Sequence, residues 1–128
     1  MNKIGHSQLD YNNVIAISKY KEKVSLPSST KKKIESSRRA VESIIKNKDV
    51  VYGITTGFGA FKNTIISEEE VSQLQKNLIL SHAVGVGEPF KEEIVRGMIF
   101  LIINYLSKGY SGVRTEVVET LIAMLNKG

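Results

Sequence analysis

Ile94, Val95, Met98, Ile99, Leu101, Ile102, Tyr105 and Leu106 cover most of the circumference of a helix. A helix that is apolar nearly all round is buried on several sides, so this segment commits the chain to a core of packed helices. The next segment repeats the signal on one face: Val113, Val117, Val118, Leu121, Ile122 and Leu125 recur at helical spacing after a stop at Gly109, with Ser111 available as a cap. The N-terminal part is more polar. Asp10 is placed to cap a helix from Tyr11 to Tyr20. Val24 and Leu26 alternate as in a short extended piece, and Val50-Val51 is a second candidate. Pro27 sits where a helix starts, and the pattern then holds to Lys48 with a narrow stripe of Ile34, Val41, Ile44 and Ile45. Ser67 followed by Glu70 is a capping-box arrangement for a helix that runs towards His82. Val71, Leu74, Leu78 and His82 lie in register, which places His82 on the inward face. Gly85 and Gly87 end this helix and Pro89 opens the next. The expected fold class is mainly α: a helical domain of about five helices with short extended segments. The last two helices carry more apolar surface than the other three can cover.

The length of 128 residues is that of one domain, read as 1–128. There is no cysteine, hence no disulfide framework and no thiolate chemistry. No signal-peptide core and no apolar run long enough to span a bilayer is present, so a cytoplasmic protein with no membrane association is expected. Residues 1–50 hold eleven Lys or Arg against five Asp or Glu, a balance of +6, whereas residues 51–128 balance at −1. The excess centres on Lys31-Lys32-Lys33 and Arg38-Arg39. Aromatic residues are not interleaved with it and no named nucleic-acid motif is present, so it reads as a solvated helix face.

The stretch Val51-Tyr52-Gly53-Ile54-Thr55-Thr56-Gly57-Phe58-Gly59 breaks the helical pattern. Its three glycines within seven residues mark a special backbone path. It lacks the Gly-Lys-Ser/Thr of a phosphate loop and the spacing of a dinucleotide loop. Tyr52 is a candidate acid or base. A tyrosine holds its proton at neutral pH unless positive charge or helix dipoles stabilise the phenolate, and packing against the turn is the plainer role. His82, just before a Gly-Val-Gly interruption at a helix end, is either a packed residue or a pocket residue. His6 is isolated, and the two histidines with no matching acid spacing give no metal signal.

Three blocks in order carry a family resemblance. Tyr52 to Gly59 resembles the tyrosine loop of the aromatic amino acid ammonia-lyases. Asn77-Leu78-Ile79-Leu80-Ser81-His82-Ala83-Val84-Gly85-Val86-Gly87 is similar to the next shared block, and Gly109-Tyr110-Ser111-Gly112-Val113-Arg114 to a third. The resemblance implies elimination of ammonia from an α-amino acid. Tyr52 is then the base that removes the β-proton. Gly53, Thr56, Gly57, Phe58 and Gly59 form its active-site loop, and His82 belongs to the substrate pocket. The Ser81-His82 pair favours L-histidine as substrate and urocanate as product. Thr55 stands where the histidine-specific members usually carry Asn, and a phenylalanine or tyrosine lyase or aminomutase is the alternative. The family's electrophile is a methylidene-imidazolone made from Ala-Ser-Gly. None of the chain's five alanines precedes a serine. The chain is therefore expected to be the N-terminal part of such an enzyme, ending before that tripeptide and inactive alone. The resemblance also implies a homotetramer in the full-length family. A helical module completed by a second chain is a further alternative.

Overall fold

The computed structural model describes residues 2–5, 9–56 and 68–128, the side chains of residues 3, 68, 69, 71 and 72 excepted. The elements in order are β1 (Asn2–Lys3), α1 (Tyr11–Ser18), β2 (Val24–Ser25), α2 (Ser28–Asn47), α3 (Glu68–His82), α4 (Glu92–Leu106) and α5 (Thr115–Lys127). The fold is mainly α. Two compact units share these elements: Met1–Ala40 with Pro89–Gly128, and Val41–Glu88.

The first unit holds the buried apolar core. Ile17 of α1, Ile34 of α2, Phe100 and Ile103 of α4, and Val118, Ile122 and Leu125 of α5 meet there with Ile4 and Val24. The start of α1 follows directly from its sequence. The Asp10 carboxylate accepts from the Asn13 amide at 2.8 Å, and the Asn13 side chain accepts from the Asp10 amide at 3.3 Å. Two amide groups that a helix start leaves unpaired are thereby satisfied reciprocally. The extended piece at Val24 is also present, as a parallel pairing of β2 with β1. Its other edge is closed by a side chain. The Val24 amide donates to Asn126 Oδ1 at 3.0 Å, and Asn126 Nδ2 donates to the Val24 carbonyl at 2.9 Å. The Asn126 amide thus does for β2 what a third strand would do. The second candidate, Val50-Val51, is not a strand; Val51 instead accepts the hydrogen bonds of a turn.

One buried cation braces this unit. Arg96 is 4% exposed and lies on the inward stripe of α4 with Phe100 and Ile103. Its Nε and Nη2 donate to the Ile17 carbonyl at 3.3 and 3.1 Å, and Nη1 donates to the Leu125 carbonyl at 2.8 Å. Both acceptors lie at helix C-termini, where carbonyls lack intrahelical partners and the dipole end is negative. The guanidinium therefore ties the ends of α1 and α5 to the middle of α4.

The turn between α4 and α5 is fixed by close approach. Gly109 has φ +77°, and a Cβ there would lie 3.0 Å from the backbone carbon and oxygen of Lys33. The Gly112 amide donates to Ser37 Oγ at 2.9 Å. Gly109→Ala is expected to cost about 2 kcal/mol or more, from left-handed strain and displacement of α2. A fall in the urea midpoint at unchanged slope measures it. Ser111 does not cap α5: the N-cap is Arg114, with no side-chain cap bond.

Part of the basic face is engaged within the fold. Lys31 Nζ lies 2.9 Å from Glu119 Oε1, and this hydrogen bond raises the lysine pKa. Arg38 donates to the Gly112 carbonyl at 3.5 Å. The outer face of α4 stays uncovered, as its excess of apolar residues predicts: Ile94, Met98, Leu101 and Tyr105 are 46 to 63% exposed.

Candidate active site

The second unit, Val41–Glu88, carries both Tyr52 and His82. Its first piece is the end of α2. The Asp49 amide donates to the Ile44 carbonyl and the Lys48 amide to the Ile45 carbonyl, each at 3.1 Å. With Lys48 at φ +58°, these two bonds are the Schellman pattern that stops a helix by a left-handed residue. The chain reverses there and enters the tyrosine turn.

That turn is held by one hydroxyl. Thr55 Oγ1 accepts from the Val51 amide at 2.9 Å and donates to the Asp49 carbonyl at 2.5 Å. The Ile54 and Thr55 amides both donate to the Val51 carbonyl, at 3.1 and 3.0 Å. Gly53 takes φ +73°, which a side chain would resist. Thr56 is buried and Tyr52 is 63% exposed. The turn therefore presents Tyr52 at the surface of this chain, while its neighbour Thr56 is buried. Thr55, which drew notice in the sequence only as a departure from the histidine-specific pattern, is the residue that closes the turn. Gly57, Phe58 and Gly59 lie outside the described residues, as do His6 and the Ser67 of the capping box.

His82 is the last residue of α3, and it is exposed, not inward. The helical register did align it with Leu74 and Leu78, which are half-buried. The ring instead folds back on its own helix end, where Nδ1 lies 2.8 Å from the Leu78 carbonyl oxygen and 2.9 Å from Ser81 Oγ. Beyond it, Val84 and Val86 are 78 and 93% exposed, so the Gly-Val-Gly segment projects from this unit. Among the described residues no group of three His, Asp or Glu side chains is arranged to hold a metal ion, and no helix is long and apolar enough to cross a membrane.

Sequence reasoning missed Arg96. A signal for it exists: Arg96, Phe100 and Ile103 are spaced by four and three on one helix face, so the arginine shares a stripe with two core residues.

The Tyr52 turn and the Ser81-His82 end of α3 lie in one unit, in the order of the two sequence blocks that resemble a lyase family. The sequence model of the family described as aromatic amino acid lyase matches residues 9–128, and the chain belongs to that family. It is 53% identical over 125 residues to histidine ammonia-lyase 2 of Fusobacterium nucleatum subsp. nucleatum, covering 98% of this chain and 24% of that protein. Among solved structures, histidine ammonia-lyase from Trypanosoma cruzi superposes with a TM-score of 0.87 at 33% identity, over 98% of this chain and 24% of that one. Tyrosine aminomutase from Streptomyces globisporus gives 0.90 at 31% identity, over 99% of this chain and 24% of that one. The chain spans about a quarter of the length of the relatives it matches.

Proposed function

We propose that these residues form the tyrosine-loop part of an enzyme that eliminates ammonia from L-histidine to give urocanate. The observation that carries this reading is the 53% identity to a histidine ammonia-lyase across nearly the whole chain. The exposed Tyr52 turn supports it, since a base must reach its substrate. In this reading the Tyr52 side-chain oxygen takes a β-proton. The C–H electron pair becomes the Cα–Cβ double bond as the Cα–N bond breaks and the amine leaves. Such a weak carbon acid needs a base on a water-excluding loop, the role given to Gly53, Thr56, Gly57, Phe58 and Gly59. His82 faces the substrate side chain. The family's methylidene-imidazolone electrophile is made from Ala-Ser-Gly, and no Ala-Ser-Gly occurs in these 128 residues. In this reading the chain's own part is proton removal at Tyr52 and contact with the substrate side chain at His82. The uncovered apolar face of α4 supports burial against further protein, whether the rest of the enzyme or neighbouring subunits of a tetramer. A cytoplasmic location is part of the same reading.

The test has two arms. The isolated chain is expected to produce no urocanate from L-histidine, read as absorbance in the ultraviolet. Residues 1–128 grafted in place of the matching quarter of the Fusobacterium nucleatum relative are expected to produce it. Turnover by the isolated chain would overturn the first expectation. A graft that prefers phenylalanine or tyrosine would overturn the assignment of the substrate.

A further inference from the structure

One side chain closes the turn that carries Tyr52. Thr55 Oγ1 accepts from the Val51 amide at 2.9 Å and donates to the Asp49 carbonyl at 2.5 Å. The Thr55 amide donates to the Val51 carbonyl at 3.0 Å, so both backbone groups of Val51 end on the same residue. Tyr52 and Gly53 lie inside that closed loop, with Gly53 at φ +73°. Asp49 lies outside it and is itself held, because its amide donates to the Ile44 carbonyl at the end of α2. The Thr55 hydroxyl thus joins the tyrosine turn to the end of a helix of 20 residues. It does so with a single atom that both accepts and donates, which a hydroxyl allows and a methyl group does not.

We infer that Thr55 is a positioning residue for Tyr52: its hydroxyl fixes the turn, and so holds the Tyr52 oxygen where a proton can be delivered to it. The inference rests on the reading of Tyr52 as the base. Tyr52 is 63% exposed, so its aim is set more by the backbone that carries it than by packing. A proton acceptor must come within about 2.6 to 3.2 Å of the atom that holds the proton, and a displacement of about 1 Å costs on the order of 10²-fold in rate. Thr55→Val keeps the β-branched backbone preference but can neither accept nor donate. The turn is then left with the two bonds from the Ile54 and Thr55 amides to the Val51 carbonyl, and its tie to Asp49 is gone. The Thr55 hydroxyl is spent on backbone, so it acts through Tyr52 and not by contact with substrate. Its loss falls on proton removal, and therefore on kcat and not on KM.

In the grafted enzyme, Thr55→Val is expected to lower kcat by about 10- to 100-fold with KM within about threefold, on whichever of L-histidine, L-phenylalanine or L-tyrosine the graft turns over. Thr55→Ser, which keeps the hydroxyl, is expected to hold kcat within about threefold of the parent. Added to Tyr52→Phe, Thr55→Val is expected to lower kcat by less than about twofold, because the group it positions is already lost. An equal loss in both backgrounds, a raised KM in place of a lowered kcat, or a serine variant no better than the valine one would overturn the inference. Hydrogen exchange followed by nuclear magnetic resonance reads the staple in the 128-residue chain without substrate. The Val51 amide is expected to exchange at least about tenfold faster in Thr55→Val, while the Ser107 amide, bonded to Ile103 in the other unit, is unchanged. Equal exchange at Val51 would remove the staple itself. Faster exchange with an unchanged kcat would leave a bond that only stabilises the turn, and the positioning role would be overturned. A parent graft inactive on all three amino acids would instead sink the reading of Tyr52 as base and the positioning role with it, with the exchange arm still deciding the staple.

Discussion

Arg96→Ala is expected to destabilise the first unit by about 3 to 5 kcal/mol, an effect large for one residue. The guanidinium makes three hydrogen bonds to two carbonyls, and bonds to a charged group contribute about 1.5 to 3 kcal/mol each when one partner is lost. Truncation leaves the Ile17 and Leu125 carbonyls buried without a donor and opens a cavity beside Phe100 and Ile103. Arg96→Lys is expected to fall between, since an ammonium on a flexible stem lacks the planar fork that reaches both helix ends. Urea unfolding of the chain followed by circular dichroism orders the three proteins. An alanine variant within about 0.5 kcal/mol of the parent would remove the bracing role.

Tyr52→Phe in the grafted enzyme is expected to lower kcat for L-histidine by about 10²- to 10⁴-fold, the usual contribution of a general base. The ring is retained, so the turn keeps its packing. The Thr55 hydroxyl still bonds Val51 and Asp49, neither of which depends on the phenol. Steady-state kinetics would separate loss of turnover from loss of binding. Activity within about threefold of the parent would exclude Tyr52 as the proton acceptor.

Much of this was legible in the residues. Asp10 with Asn13 three positions on is a local signal, and it builds the cap that local rules describe. The apolar periodicity of α4 and α5 encodes helices and also their surplus, which reappears as the uncovered Ile94, Met98, Leu101 and Tyr105. The Tyr52 block carries the family. His82 shows where such rules stop. Periodicity assigned it to the inward face, but a helix's last residue has no following turn to pack against, and its own carbonyls are open to its ring.

The sequence by itself determined the helices, the cap at Asp10, the glycine turn and the kinship with the lyases, because each is written in neighbours along the chain. Only the tertiary structure decided that Arg96 braces the ends of α1 and α5, that Asn126 closes the edge of β2, and that Thr55 staples the tyrosine turn. The first two join residues 29 to 102 positions apart. No local period specifies which carbonyl is left unpaired at a helix end or strand edge until the elements have packed. Thr55 acts over only four to six residues, yet its role depends on where the Schellman stop of α2 sends the chain.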